Sequence, residues 1–208
     1  MLAIIDYDMG NVKSIQNAFN LLGEESKITD DHKQISESEA IILPGVGAFA
    51  DGMKNLKRKN LISVLETEVL EKKKPYLGIC LGLELLCKKS FEGGENDGLS
   101  WIDATVRRIL PNDRSLKVPH VGWNDTEVLR TDGLLSSIEV PTFYFNHSYF
   151  VDVSPNSNSI ITSTCSYGDT QITSSIEINN ISAVQFHPEK SQSAGLHLLK
   201  NFIGNNLC

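Results

Sequence analysis

Short apolar runs alternate with longer stretches of helical spacing through the first half of the chain. Residues 2–6 are apolar up to Asp6 and predict a buried strand. Residues 12–22 put Val12, Ile15, Ala18, Phe19 and Leu22 on one face of a helix that stops at Gly23. Residues 40–43 form a second buried run, ending in Pro44-Gly45-Val46-Gly47. One or two helices fit residues 51–70, a strand fits 76–79, and an amphipathic helix fits 81 to about 89. This alternation predicts a mostly parallel sheet with helices on both faces. From about residue 98 to 185 the chain turns β-branched and aromatic. Turn signals stand at Pro111-Asn112-Asp113, Thr131-Asp132-Gly133 and Ser154-Pro155-Asn156. Residues 142–153, 159–164 and 171–176 read as strands added antiparallel to the same sheet. A last strand at 181–186 precedes His187, and a helix at 194–203 closes the pattern. With no repeat, low-complexity tract or linker, residues 1–208 predict a single α/β domain.

Composition narrows the function classes. The chain has 208 residues, 40% hydrophobic and 22% charged, which is ordinary for a soluble globular protein. A net charge of −7 argues against a nucleic-acid partner, which wants a basic face. The apolar start meets a charge at Asp6 and has no basic flank or cleavage site, so it predicts a first strand and not a signal peptide. No apolar run is long enough to suggest a membrane span. Cys80, Cys87, Cys165 and Cys208 lie far apart or in unlike contexts, with no C-x-x-C pair. The expectation is a cytoplasmic protein with reduced thiols, no metal and no cofactor.

Chemistry enters at Cys80, in the run Gly78-Ile79-Cys80-Leu81-Gly82 between a predicted strand and a predicted helix. That is the layout of a nucleophile elbow with cysteine in place of serine. A helix N-terminus behind the sulfur favours the thiolate. A buried structural cysteine would fit the same run. A thiol nucleophile needs a base and a group to orient it. His187-Pro188-Glu189 follows a buried strand and offers both, giving a candidate triad of Cys80, His187 and Glu189. Attack on a carbonyl creates an oxyanion that needs backbone donors. Leu81 supplies one and the Gly45-Val46-Gly47 turn another, although an isolated G-x-G is also an ordinary tight turn. It is not a dinucleotide fingerprint, because Ala50 stands at the third glycine.

Together these segments resemble the class I (triad-type) glutamine amidotransferases. Within that family the resemblance is to the glutaminase subunits of imidazole glycerol phosphate synthase in histidine biosynthesis. Further motifs carry it across nearly the whole chain: Ile5-Asp6-Tyr7-Asp8-Met9-Gly10-Asn11, Lys117-Val118-Pro119-His120-Val121-Gly122-Trp123-Asn124 and Phe145-Asn146-His147-Ser148-Tyr149-Phe150. The resemblance implies a three-layer, flavodoxin-like fold and hydrolysis of L-glutamine to glutamate and ammonia through a thioester on Cys80. His187 would act as base, then acid. It implies oxyanion donors among Val46, Gly47 and Leu81, and a glutamine pocket of Gly45, Glu84, Glu92, His147, Ser148 and Tyr149. Glu92 would meet the α-ammonium, and Ser148 and Tyr149 the α-carboxylate. It also implies a heterodimer in which Asn11, Val121 and Trp123 meet a HisF-type barrel cyclase that receives the ammonia. For the aromatic run and His147, plain core packing is the competing reading.

Two positions depart from the family pattern. Glu84 stands where glutamine is usual, placing an anion near the thiolate unless it is protonated or paired. Asp8 stands where glycine is usual, on the partner-facing turn. Both leave open a paralogous glutaminase that feeds a synthase aminating a surface-glycan sugar precursor. A stand-alone cysteine hydrolase on the same fold, and a binding subunit with a decayed site, are further alternatives; the intact Cys80, His187 and Glu189 argue against decay.

Overall fold

The computed structural model describes residues 1–113 and 115–206. Cys208, grouped with the other thiols above, lies outside the described residues. In chain order the elements are β1 (Leu2–Ile5), α1 (Val12–Leu21), β2 (Ser26–Thr29), α2 (His32–Glu37), β3 (Ala40–Gly45), α3 (Phe49–Arg58) and α4 (Leu61–Leu65). A π-helical turn, Glu66–Glu71, continues α4; then come β4 (Tyr76–Cys80), α5 (Leu81–Glu84), β5 (Lys89–Ser90), β6 (Asn96–Asp97) and β7 (Ala104–Arg108). The remainder is β8 (His120–Asp125), β9 (Glu127–Val128), β10 (Thr142–His147), β11 (Tyr149–Val153), β12 (Ile161–Tyr167), β13 (Thr170–Ile178), β14 (Ile181–Val184) and α6 (Gln192–Asn206).

The main sheet runs β2-β1-β3-β4-β14-β13-β12-β9. Its first five strands are parallel, in the doubly wound 2-1-3-4-5 order, and β13, β12 and β9 continue it antiparallel. Successive residues of a strand face opposite sides, and here both sides are covered. Ala3, Ile5, Ile41 and Leu43 pack with Leu56, Leu65 and Leu85 on one face. Leu2, Ile4, Ile42 and Ile79 pack with Phe19, Leu198 and Phe202 on the other. That is why the central strands read as unbroken apolar runs.

Three details differ from the sequence reading. The helix after Cys80 ends at Glu84 instead of near residue 89. Leu83, Leu85, Leu86 and Cys87 are all buried, so the segment has no solvent face. Its carbonyls turn aside to receive the N–H groups of Leu99, Trp101, Ile102 and Ser100. The strand expected over 142–153 is two strands in different sheets. β10 pairs only with β8, β11 joins β7, β5 and β6, and the chain breaks between them at Ser148. The second half is therefore partly outside the main sheet. The polar edge strand β2 and the short α2, capped by Asp31 on the Gln34 N–H, fell below the sequence signal.

Candidate active site

Parallel pairing brings three strand ends to one level. Gly45 is in register with Cys80, and Ile79 with Val184, so Gln185 lies beside Cys80 and His187 follows just above. Cys80 takes φ 55° and ψ −107°, a costly conformation for a residue with a Cβ, held by the packed elements on either side. The turn is tight enough that a Cβ on Gly82 would overlap the Leu43 carbonyl oxygen. Burial pushes the Cys80 thiol well above its ordinary value, and the carboxylates of Glu84 and Glu189 push the same way. The Leu81 N–H and the Gln185 amide, Nε2 3.9 Å from Sγ, oppose them. With only four residues, α5 contributes less dipole than the sequence reading assumed.

His187 leaves β14 into a 3₁₀ turn that brings Glu189 back onto its ring: Nδ1 to Glu189 Oε1 is 2.9 Å, and both side chains are fully buried. Its backbone is fixed by the Tyr144 carbonyl, at 2.8 Å, and by the Ser191 hydroxyl, at 2.6 Å. Asn11, expected at a partner surface, donates its side-chain amide to the same Glu189 oxygen. With Nδ1–H assigned to Glu189, Nε2 is the ring's acceptor, and it has no hydrogen-bond partner among the described residues.

A cavity of about 240 Å³ opens beside the thiol. Val46, Gly47, Cys80, Leu81, Glu84, Glu92, His147, Ser148 and Tyr149 all line it, and Pro119 and Asn146 complete the wall. Gly45 lies beneath, close against the Tyr7 hydroxyl and Leu81. The Val46 N–H donates to the Met9 carbonyl at 3.0 Å and so does not face the cavity as an oxyanion donor. Gly47, at φ 106°, has a free N–H among the described residues and a conformation that favours glycine. Glu92 accepts the Phe49 N–H at the start of α3, 2.6 Å away, which fixes its carboxylate at the cavity rim.

His147 is both core and wall. Burial pulls it down to about 3 and His120 to about 4, so both rings are neutral near pH 7. The hydrogen bonds then assign the tautomers. His147 Nδ1–H donates to the Tyr149 carbonyl at 2.6 Å, its Nε2 accepts from His120 Nδ1 at 3.2 Å, and His120 Nε2 accepts from Asn124 at 3.4 Å. Val121 and Trp123 project from β8 and are 55% and 48% exposed. Asp8, at φ 63°, is pinned by Arg58 and by Lys59, the latter at 3.1 Å. Those cations, Lys59 foremost, hold its carboxyl below the usual range. Sequence reasoning missed the positioning roles of Gln185, Ser191, His120 and Asn11. Those of Gln185 and His120 depend on strand pairing, that of Asn11 on the packing of α1 against the turn at 188–190, and that of Ser191 on the turn itself, none of which a local pattern announces.

A doubly wound sheet with a thiol elbow and a buried His–Glu pair at its carboxyl edge has the chemistry that thiol-dependent acyl transfer requires. The sequence profile described as glutamine amidotransferase class-I matches residues 3–205, and the chain belongs to that family. Among its relatives, the imidazole glycerol phosphate synthase subunit HisH of Moorella thermoacetica is 46% identical, over 97% of this chain and 93% of its own. The HisH subunit of Aquifex aeolicus is 45% identical, over 96% and 94%. A solved glutamine amidotransferase superposes with TM-score 0.73 at 18% identity, over 97% of each chain, which bears on the fold alone.

Proposed function

We propose that the chain is the glutaminase subunit of an imidazole glycerol phosphate synthase, acting in the cytoplasm as a heterodimer with a HisF-type cyclase. The observation that carries this is the near-full-length likeness to HisH subunits, in a chain that also keeps the thiol, base and orienting carboxylate together. His187 Nε2 takes the Cys80 proton as Sγ attacks the side-chain carbonyl carbon of glutamine. The Leu81 and Gly47 N–H groups receive the developing oxyanion. Collapse breaks the C–N bond, His187 returns the proton to the nitrogen, and ammonia leaves a thioester on Cys80. Water, deprotonated by His187, then cleaves the thioester to glutamate and restores the thiol. Glu189, itself held by Asn11, keeps the imidazole in the productive tautomer.

Glu92 at the rim suits the α-ammonium of glutamine, and Ser148 and Tyr149 its α-carboxylate. The exposed Val121 and Trp123 suit docking of the cyclase at the cavity mouth. The Val46 amide, engaged by Met9, suits an enzyme that is slow alone and quickened by its partner, in contrast to a self-sufficient cysteine hydrolase. The test is to mix the purified chain with the cognate cyclase subunit and its ribonucleotide substrate. Glutamine-dependent product is expected, lost in Cys80→Ala while free ammonia still supports the cyclase. Glutaminase activity without imidazole product would transfer the chain to another synthase, such as one that aminates a sugar.

A further inference from the structure

Glu84 stands one turn beyond Cys80, buried in the cavity wall at 6% exposure. Its Oε1 accepts from Gln185 Nε2 at 2.9 Å, while Oε2 has no hydrogen-bond partner among the described residues. Among the described residues, the groups around it supply no cation. On its own segment stand the Cys80 and Cys87 thiols, and from the turn after β1 the buried Tyr7 hydroxyl. Across the cavity is Glu92, and beyond Cys80 the His187–Glu189 pair. Of the strands packed on α5, β4 adds the buried Tyr76 hydroxyl, which donates to the Gly82 carbonyl at 3.0 Å, while β3 and β14 carry no titratable side chain. β11 turns Tyr149 to the cavity and spends Asp152 on an ion pair with Arg107. The charged residues of α3, namely Asp51, Lys54, Lys57 and Arg58, are exposed on its far side.

An ionised Glu84 would thus be a buried anion without a counter-ion, among other carboxylates and next to a thiolate, the costliest arrangement available to it. Burial, with the nearby Glu92, accordingly raises its carboxyl to about 8 against the Gln185 hydrogen bond. The acid form carries one O–H and keeps acceptor capacity on the other oxygen. Gln185 already donates to Oε1, so the proton belongs on Oε2, facing the cavity. In that form Glu84 presents what an amide side chain would present: an acceptor toward the protein and a donor toward a ligand.

Resting on the glutaminase reading above, we propose that Glu84 is a substrate-binding residue in its neutral acid form, donating a hydrogen bond from Oε2 to an oxygen of the bound glutamine. Its ionisation switches the site off. Loss of that proton removes the donor, repels the α-carboxylate, and disfavours the Cys80 thiolate.

The test measures the rate at which a glutamine-analogue electrophile labels Cys80 in the full chain, from pH 6 to 10, for wild type, Glu84→Gln and Glu84→Met. Wild type is expected to lose up to about tenfold in labelling rate between pH 7 and 9, with a midpoint near 8. Glu84→Gln, which keeps a donor and cannot ionise, loses that limb and overtakes wild type above pH 8. Glu84→Met also lacks the limb but labels at least about tenfold more slowly than Glu84→Gln at every pH, with native circular dichroism. Superimposable pH profiles for wild type and Glu84→Gln overturn the ionisation switch and leave the glutaminase reading intact. Equal labelling of Glu84→Met and Glu84→Gln overturns the donor role. Absence of Cys80 labelling in every form overturns the glutaminase reading itself, and this inference with it.

Discussion

At the thiol, His187 is held by Glu189, Glu189 by Asn11, and Glu84 by Gln185, and those contacts decide what single substitutions will do. Glu189 fixes His187 Nδ1, so Glu189→Gln keeps the shape but presents an amide that can stabilise the wrong tautomer. Glutamine hydrolysis should fall by about 10²–10⁴ in kcat with little change in KM, as when the third member of such a triad is neutralised. Steady-state kinetics with the partner present checks this; a loss in KM alone would place Glu189 in binding. Glu84 has a second consequence, for stability. Its carboxyl lies near 4.5 unfolded and about 8 folded, so the folded state binds the extra proton between those values. The stability tied to that proton is complete below pH 4.5 and is lost as pH rises through 8. Relative to wild type, Glu84→Gln should therefore gain thermal stability on going from pH 5 to pH 9. Melting curves at the two pH values test the sign, and a constant difference would mean Glu84 is ionised in the fold. Glu84, Glu92, His147, Ser148 and Tyr149 came only with the family resemblance, whereas Cys80, His187 and the Gly45–Gly47 turn were legible because each stands at or just past a strand end with glycine or proline close by. Gln185 and Ser191 were not, because a buried amide and a serine after a turn look the same whether or not they hold a neighbour.

At the scale of elements, the elbow is where sequence and packing are most tightly bound. Gly82 lets α5 lie against the end of β3, where any Cβ would overlap the Leu43 carbonyl oxygen, and backbone cannot yield as a side-chain tip can. Gly82→Ala should cost about 3 kcal/mol or more, the upper range for overpacked interiors. Gly93→Ala makes a useful control: it adds a Cβ to open space but keeps φ at 64°, for a cost of about 1 kcal/mol. Denaturant unfolding of both variants measures the gap, and similar losses would mean that α5 can shift. The parallel half of the sheet was legible because doubly covered strands show as apolar runs. The shortness of α5 was not. Leu83 to Cys87 is buried on every side, Glu84 included, and a run with no solvent face cannot say whether its carbonyls will pair within a helix or with residues 99–102. The break at Ser148 was hidden for a related reason: β10 and β11 carry one continuous alternation, although they serve two different sheets.

For the whole molecule, the order of strands matters more than any one of them. β14 is the last strand in the chain yet lies beside β4, so His187 and Glu189 come up on the Cys80 side of the sheet only when the strand order is complete. The same closure gathers β8 and β10 over the cavity, with Pro119 in its wall and Val121 and Trp123 just beyond, facing outward. A half-exposed tryptophan braced edge-on by Tyr144 at 6.1 Å is already ordered before any partner arrives. Rigid, partly buried aromatics of this kind dominate binding energy when a partner covers them, because they lose little freedom on association. With the cyclase docked at β8 as proposed, Trp123→Ala should weaken that complex by about 2 kcal/mol, roughly 30-fold in Kd. The substitution leaves the Cys80–His187–Glu189 arrangement untouched, so labelling of Cys80 in the isolated chain should not change. What should change is the concentration of cyclase needed for half-maximal glutaminase stimulation, which titration reads directly. An unchanged titration midpoint would remove Trp123 from the docking surface and move the cyclase to another face.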